Sequence, residues 1–95
     1  MHASIQRHPV SPDSTTKNLA DLGWQLNAFL APFGGFVASV AVADESGALI
    51  TINLFDDAAT LAAAMQRIDD ETRRVAGDLR ASEIATGEVV AQRGL

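Results

Sequence analysis

The chain has 95 residues, 47% hydrophobic and 20% charged, with a formal net charge of −5 and no cysteine. A single domain of this length buries only roughly 60–65% of its unfolded surface, with globular rather than disordered composition. The acidic balance argues against nucleic acid, and the missing thiols exclude a disulfide frame, a thiolate metal site and a cysteine nucleophile.

Residues 3–9 alternate, Ala3, Ile5 and Arg7 against Ser4, Gln6 and His8, until Pro9 and Pro12 end a first strand. Ser11-Pro12-Asp13-Ser14-Thr15-Thr16 is dense in residues that cap helices. Leu19, Leu22, Leu26, Phe29 and Leu30 then recur at steps of three and four, a single helical stripe that Pro32 and Gly34-Gly35 close. Residues 36–43 and 48–55 are two strand-length runs of Val, Ile, Phe and small residues, joined by the turn Asp44-Glu45-Ser46-Gly47. Asp56 or Asp57 caps a second helix, along which Leu61, Met65, Ile68, Thr72, Val75 and Leu79 form the apolar stripe. Arg67/Glu71, Asp69/Arg73 and Arg74/Asp78 are spaced for ion pairs on its wet side. Residues 83–92 alternate again, most strongly over Glu88-Val89-Val90-Ala91-Gln92.

The order strand, helix, strand, strand, helix, strand predicts an α+β, ferredoxin-like βαββαβ domain over residues 1–95, a four-stranded antiparallel sheet with two helices on one face. No apolar stretch approaches the ~20 residues of a membrane span. Residues 1–7 lack the apolar core of a signal peptide, so the chain reads as cytoplasmic.

The hairpin is apolar on both sides. With Ala43 opposite Ala48, one face carries Val37, Ser39, Ala41, Ile50, Ile52 and Leu54. The other carries Phe36, Ala38, Val40, Val42, Leu49, Thr51, Asn53 and Phe55. A one-residue bulge would exchange partners, yet neither list would become a solvated face, which ordinarily alternates Lys, Glu, Arg and Thr. Two helices cover one face only, so the other is expected to pack on a second copy, giving a homodimer through the sheet face.

Several local patterns resemble the antibiotic biosynthesis monooxygenase-like families of the dimeric α+β barrel superfamily. They are the strand ending Arg7-His8-Pro9, the helix closing at "APFGGF", the acidic turn "ADESGALI", the strand ending "LFDD", the alanine-rich helix and the last strand opening "ATGEVV". The resemblance implies the dimeric barrel. It also implies activities found among relatives: cofactor-free oxygenation of polycyclic phenols, or haem degradation, using Asn, Trp, His, Arg or Tyr in a pocket between helices and sheet. This chain has no tyrosine, and its second helix has no Trp or His, so haem chemistry is not expected and no cofactor is assigned.

The weak catalytic candidates are Asn53 and His8; Trp24, Asn27, Phe55 and Arg7 are pocket or interface candidates. A buried Asn53 amide would need partners for its donors and acceptor, and could orient a phenol or peroxide. His8 is a possible general base, though its place beside Pro9 at a strand end reads as exposed. His2 and His8 lie ~20 Å apart along a strand and cannot grip one metal ion. Trp24 falls roughly 150° around its helix from the leucine stripe, where it would anchor a partner or lie under a loop. The readings left open are a non-catalytic or small-molecule-binding homodimer, a cofactor-free oxygenase or isomerase of a small aromatic compound, and an assembly subunit docking through Trp24. A cavity of ~300 Å³ or more with Asn53 pointing into it would favour the second.

Overall fold

The computed structural model describes residues 1–9, 16–76 and 82–94. Its elements are β1 (His2–His8), α1 (Thr16–Leu30), β2 (Phe36–Ala43), β3 (Leu49–Phe55), α2 (Ala58–Ala76) and β4 (Ser82–Glu88). Every strand pairing is antiparallel, in the sheet order β2-β3-β1-β4. This is the ferredoxin-like α+β arrangement. No helix among the described residues is long and apolar enough to cross a membrane.

Local chemistry sets the joints. Gly47 takes φ +87° in the hairpin turn, and the Asp44 carboxylate accepts hydrogen bonds from the Ser46 and Ala48 amides at 2.7 and 3.1 Å. Asp57 caps α2, its Oδ1 accepting from the Thr60 amide at 2.8 Å. Between helix and sheet, Leu19, Leu26, Leu30, Leu49, Phe55, Leu61, Ala64, Met65 and Ile68 form the core. Phe36 meets Phe55 edge to face, with ring centroids 5.6 Å apart. Gly23 lets α1 approach β2 closely, because a Cβ there would lie 2.9 Å from the Ala41 Cβ.

Several expectations are corrected. Ala43 pairs with Leu49 rather than Ala48, and a bulge between Phe36 and Ala38 shifts the register. Ser39 and Ala41 therefore share the face of Thr51 and Asn53, while Val40 and Val42 share that of Ile50 and Ile52. The last strand ends at Glu88, the first residue of the run expected to be its strongest part, and Val90 is exposed. The ion pairs seen on α2 are Asp70–Arg73 and Glu71–Arg74, three residues apart rather than four. The expected cap of α1 and the residues Asp78 and Leu79 lie outside the described residues.

The corrected register separates two faces of opposite character. Beneath the helices lie Ser4, Gln6 and His8 of β1, Ser39 and Ala41 of β2, and Leu49, Thr51, Asn53 and Phe55 of β3. The other face carries Ala3, Ile5, Ala38, Val40, Val42, Ile50, Ile52 and Leu54, with Arg7 at one end. Val40 and Val42 remain 48% and 47% exposed. Most polar residues of β1, β2 and β3 face the helices, and most of their aliphatic residues face outward.

Candidate functional site

The strands bring a set of polar side chains into the interior. Ser39 Oγ lies 2.6 Å from Asn27 Oδ1 and 2.7 Å from Asn53 Oδ1. A serine has one hydroxyl proton, so it donates to one of the two amide oxygens at a time. The Asn53 amide nitrogen faces Met65 Sδ, a weak acceptor, at 3.8 Å. The result is a short relay from α1 through β2 to β3, with α2 closing it at Met65.

On β1, Ser4, Gln6 and His8 are 0%, 4% and 2% exposed. Ser4 Oγ, Gln6 Oε1 and His8 Nδ1 are buried without a hydrogen-bond partner among the described residues. The other ring nitrogen of His8, Nε2, is 3.1 Å from Thr51 Oγ1. Burial pushes the His8 pKa below its ordinary value and favours the neutral ring. Side chains two residues apart on a strand are separated by about 6.6–6.8 Å, so the three unpartnered atoms form a row along β1.

A cleft of about 490 Å³ opens between α2 and the β1/β4 pair, lined by His2, Ala58, Leu61, Ala62, Met65, Thr86 and Gly87. Its floor adjoins the polar row, because Ser4 follows His2 on the same face and pairs with Thr86 across the strands. Met65 lines the cleft and touches Asn53, so Asn53 stands one side chain behind the wall.

Among the candidate residues, Asn53, Asn27 and His8 share this interior. Asn53 and His8 do not meet, since four residues of register separate them on neighbouring strands, about 13 Å. His8 is buried, contrary to its expected exposure, because β1 is central in the sheet and its inward side lies under the helices. Phe55 is core. Arg7 points to the opposite face and donates to Ser46 Oγ at 3.3 Å, stitching the strand to the hairpin turn. Trp24 is 73% exposed and lines a separate groove of about 190 Å³ with Ala20, Gly23, Asn27 and Ala41. Sequence reasoning missed Ser4, Gln6 and Ser39. Their signal was the polar half of each strand's alternation, which ordinarily marks solvent.

No family model matches the sequence, and no curated protein matches it. Solved structures do. A protein of unknown function from Nitrosomonas europaea, NE2512, matches with a TM-score of 0.78 at 18% identity, covering 99% of this chain and 93% of that one. SnoaB, a cofactor-independent oxygenase from Streptomyces nogalater, matches with a TM-score of 0.65 at 16% identity, covering 99% and 95%. The ActVA-Orf6 monooxygenase of Streptomyces coelicolor, solved with nanaomycin D, matches with a TM-score of 0.69 at 14% identity, covering 98% and 92%. The chain has the antibiotic biosynthesis monooxygenase-like fold. In this version of that fold, the interior between helices and sheet is polar along β1 and apolar along α2.

Proposed function

We propose that this protein is a homodimeric small-molecule-binding protein that takes an uncharged aromatic compound into the interior behind the α2 cleft. The observation that carries this reading is the row of polar atoms on β1 that are buried without a partner among the described residues, with a cleft of about 490 Å³ next to the Ser4 end of that row. Buried polar groups in native proteins are satisfied by protein, water or ligand. A mostly apolar space with a few convergent polar groups is the usual form of a ligand site. The binding of nanaomycin D by a protein of the same fold supports the aromatic class.

The second copy sits on the open sheet face. Val40 and Val42 project at the β2 edge, while Ala3, Ile5, Ala85, Gly87 and Val89 help line a hollow of about 260 Å³ at the β4 edge. A two-fold axis parallel to the strands, lying between two such sheets, sets β2 of each copy over β4 of the other. Projecting valines then meet a largely apolar hollow.

Catalysis is a second reading, favoured by His8. In the tautomer whose Nε2 donates to Thr51, the neutral imidazole keeps Nδ1 as a base able to accept a phenol proton. Dioxygen would be the oxidant, a phenol and O2 giving a quinone and water without a cofactor. Thermal-shift titration against naphthols and anthraquinones tests the binding reading. Ligand-dependent stabilisation is expected; the absence of any shift across both series would remove it. Oxygen uptake with a bound naphthol, abolished in His8→Gln, tests the catalytic one.

A further inference from the structure

We propose that Met65 is a site of reversible oxidation by hydrogen peroxide, and that the buried Asn53 amide receives the sulfoxide oxygen.

The sequence narrows the chemistry first. The chain has no cysteine and two methionines, so peroxide, which attacks soft sulfur, has two side chains to oxidise. Met1 begins the chain. Met65 is 9% exposed, and it lines the wall of the α2 cleft with Leu61 and Ala62, which gives its side chain a route to small solutes. The step is a two-electron oxidation. A sulfur lone pair attacks one peroxide oxygen, the O–O bond breaks and an S–O bond forms. The second oxygen leaves as water after proton transfer, so sulfur is oxidised and peroxide reduced.

A sulfoxide in an apolar interior is ordinarily disruptive, because its oxygen is buried without a partner. Here the partner is in place. Asn53 is buried, its Oδ1 turned to Ser39 Oγ at 2.7 Å and its Nδ2 donating towards Met65 Sδ at 3.8 Å. Among the described residues Nδ2 meets no oxygen acceptor. A thioether is a weak acceptor, so the buried amide is left under-satisfied. A sulfoxide oxygen is a strong one. Three rotatable bonds in the unbranched methionine chain let that oxygen swing to Nδ2. The cleft of about 490 Å³ has room for the methyl group that it displaces.

The same contact sets the stereochemistry. Asn53 covers one side of the sulfur and the cleft opens on the other, so peroxide reaches one lone pair and one sulfoxide epimer forms.

Hydrogen peroxide treatment of the folded protein, read by peptide mass spectrometry, tests the site. Met65 sulfoxide is expected, removed completely by one of the two epimer-specific methionine sulfoxide reductases and untouched by the other. Scanning calorimetry tests the partner. Oxidation should lower the melting temperature of Asn53→Leu by about 4–8 °C more than that of the wild type, the shift for one lost hydrogen bond in a domain of this length. Leucine keeps the branched outline of asparagine, and Ser39 retains Asn27 Oδ1 as acceptor at 2.6 Å. A Met65 that stays reduced while Met1 is oxidised overturns the proposal. So does a mixture of epimers, the product of oxidation in an unfolded chain, and so does an equal fall in the two melting temperatures. Should Asn53→Leu not fold, the epimer analysis of the wild type decides alone.

Discussion

Val40→Glu is expected to keep the proposed dimer from forming while the chain stays folded. Val40 lies on the outward sheet face opposite Ile52 and is 48% exposed within one chain. Complete burial of a valine side chain contributes about 1.5–3 kcal/mol, so the half still open in the single chain represents about 0.7–1.5 kcal/mol per copy. The two-fold doubles this to about 1.5–3 kcal/mol. Glutamate removes that term and adds the desolvation of a carboxylate on each copy, several kcal/mol per ion where no counter-charge is supplied. A combined loss of at least about 5 kcal/mol raises the dimer dissociation constant by more than about a thousandfold. Sedimentation velocity at micromolar concentration reads the result, with circular dichroism confirming that the variant stays folded. Trp24→Ala, on the far side of α1, should leave the dimer unchanged and so separates the sheet interface from docking through the tryptophan. A wild-type protein that sediments as a single chain would refute the reasoning, and so would a Val40→Glu variant that stays dimeric.

Two further outcomes follow from the interior. Because burial lowers the His8 pKa, folding favours the neutral ring; its stabilising contribution is complete above the ordinary value of 6.5 and is lost as pH falls from there through the folded value. The melting temperature of the wild type should therefore drop on acidification from pH 7 towards 5 more steeply than that of His8→Gln, and parallel curves would refute it. Asp44, Asp57 and Glu71, with carboxyls held below their ordinary values by hydrogen bonds, act in a separate and lower window. Gly23→Ala forces a Cβ to within 2.9 Å of the Ala41 Cβ, and overpacking of about 1–3 kcal/mol should outweigh the roughly 0.5–1 kcal/mol gained in helix propensity. Scanning calorimetry should show a lower melting temperature; a rise would mean that α1 slides freely over β2.

The local signals in the sequence proved sound because each is settled within a few residues. The four-residue turn, the acid before α2 and the leucine stripe of α1 need only nearest-neighbour sterics, a capping hydrogen bond and a helical period. Trp24 was legible as an off-core residue for the same reason. His8 was not, because its neighbour Pro9 indicates the end of a strand but not which side of that strand the helices cover. Ser4, Gln6 and Ser39 were hidden by the ordinary rule that polar alternation points to water, a rule this sheet reverses.

The amino-acid order by itself determined the six elements, their sequence, the turn, the cap and the apolarity of the hairpin. The tertiary structure alone decided which side of the sheet is inside. Side chains alternate with a period of two, so the shift from Ala48 to Leu49 opposite Ala43 was enough to exchange the partners of Ser39 to Ala43, and the bulge between Phe36 and Ala38 kept Phe36 on the side of Phe55. Local propensity is indifferent to that choice. It was made by the helices, which lay their apolar stripes over Leu49 and Phe55 and so enclosed the polar residues that alternate with the outward valines and isoleucines.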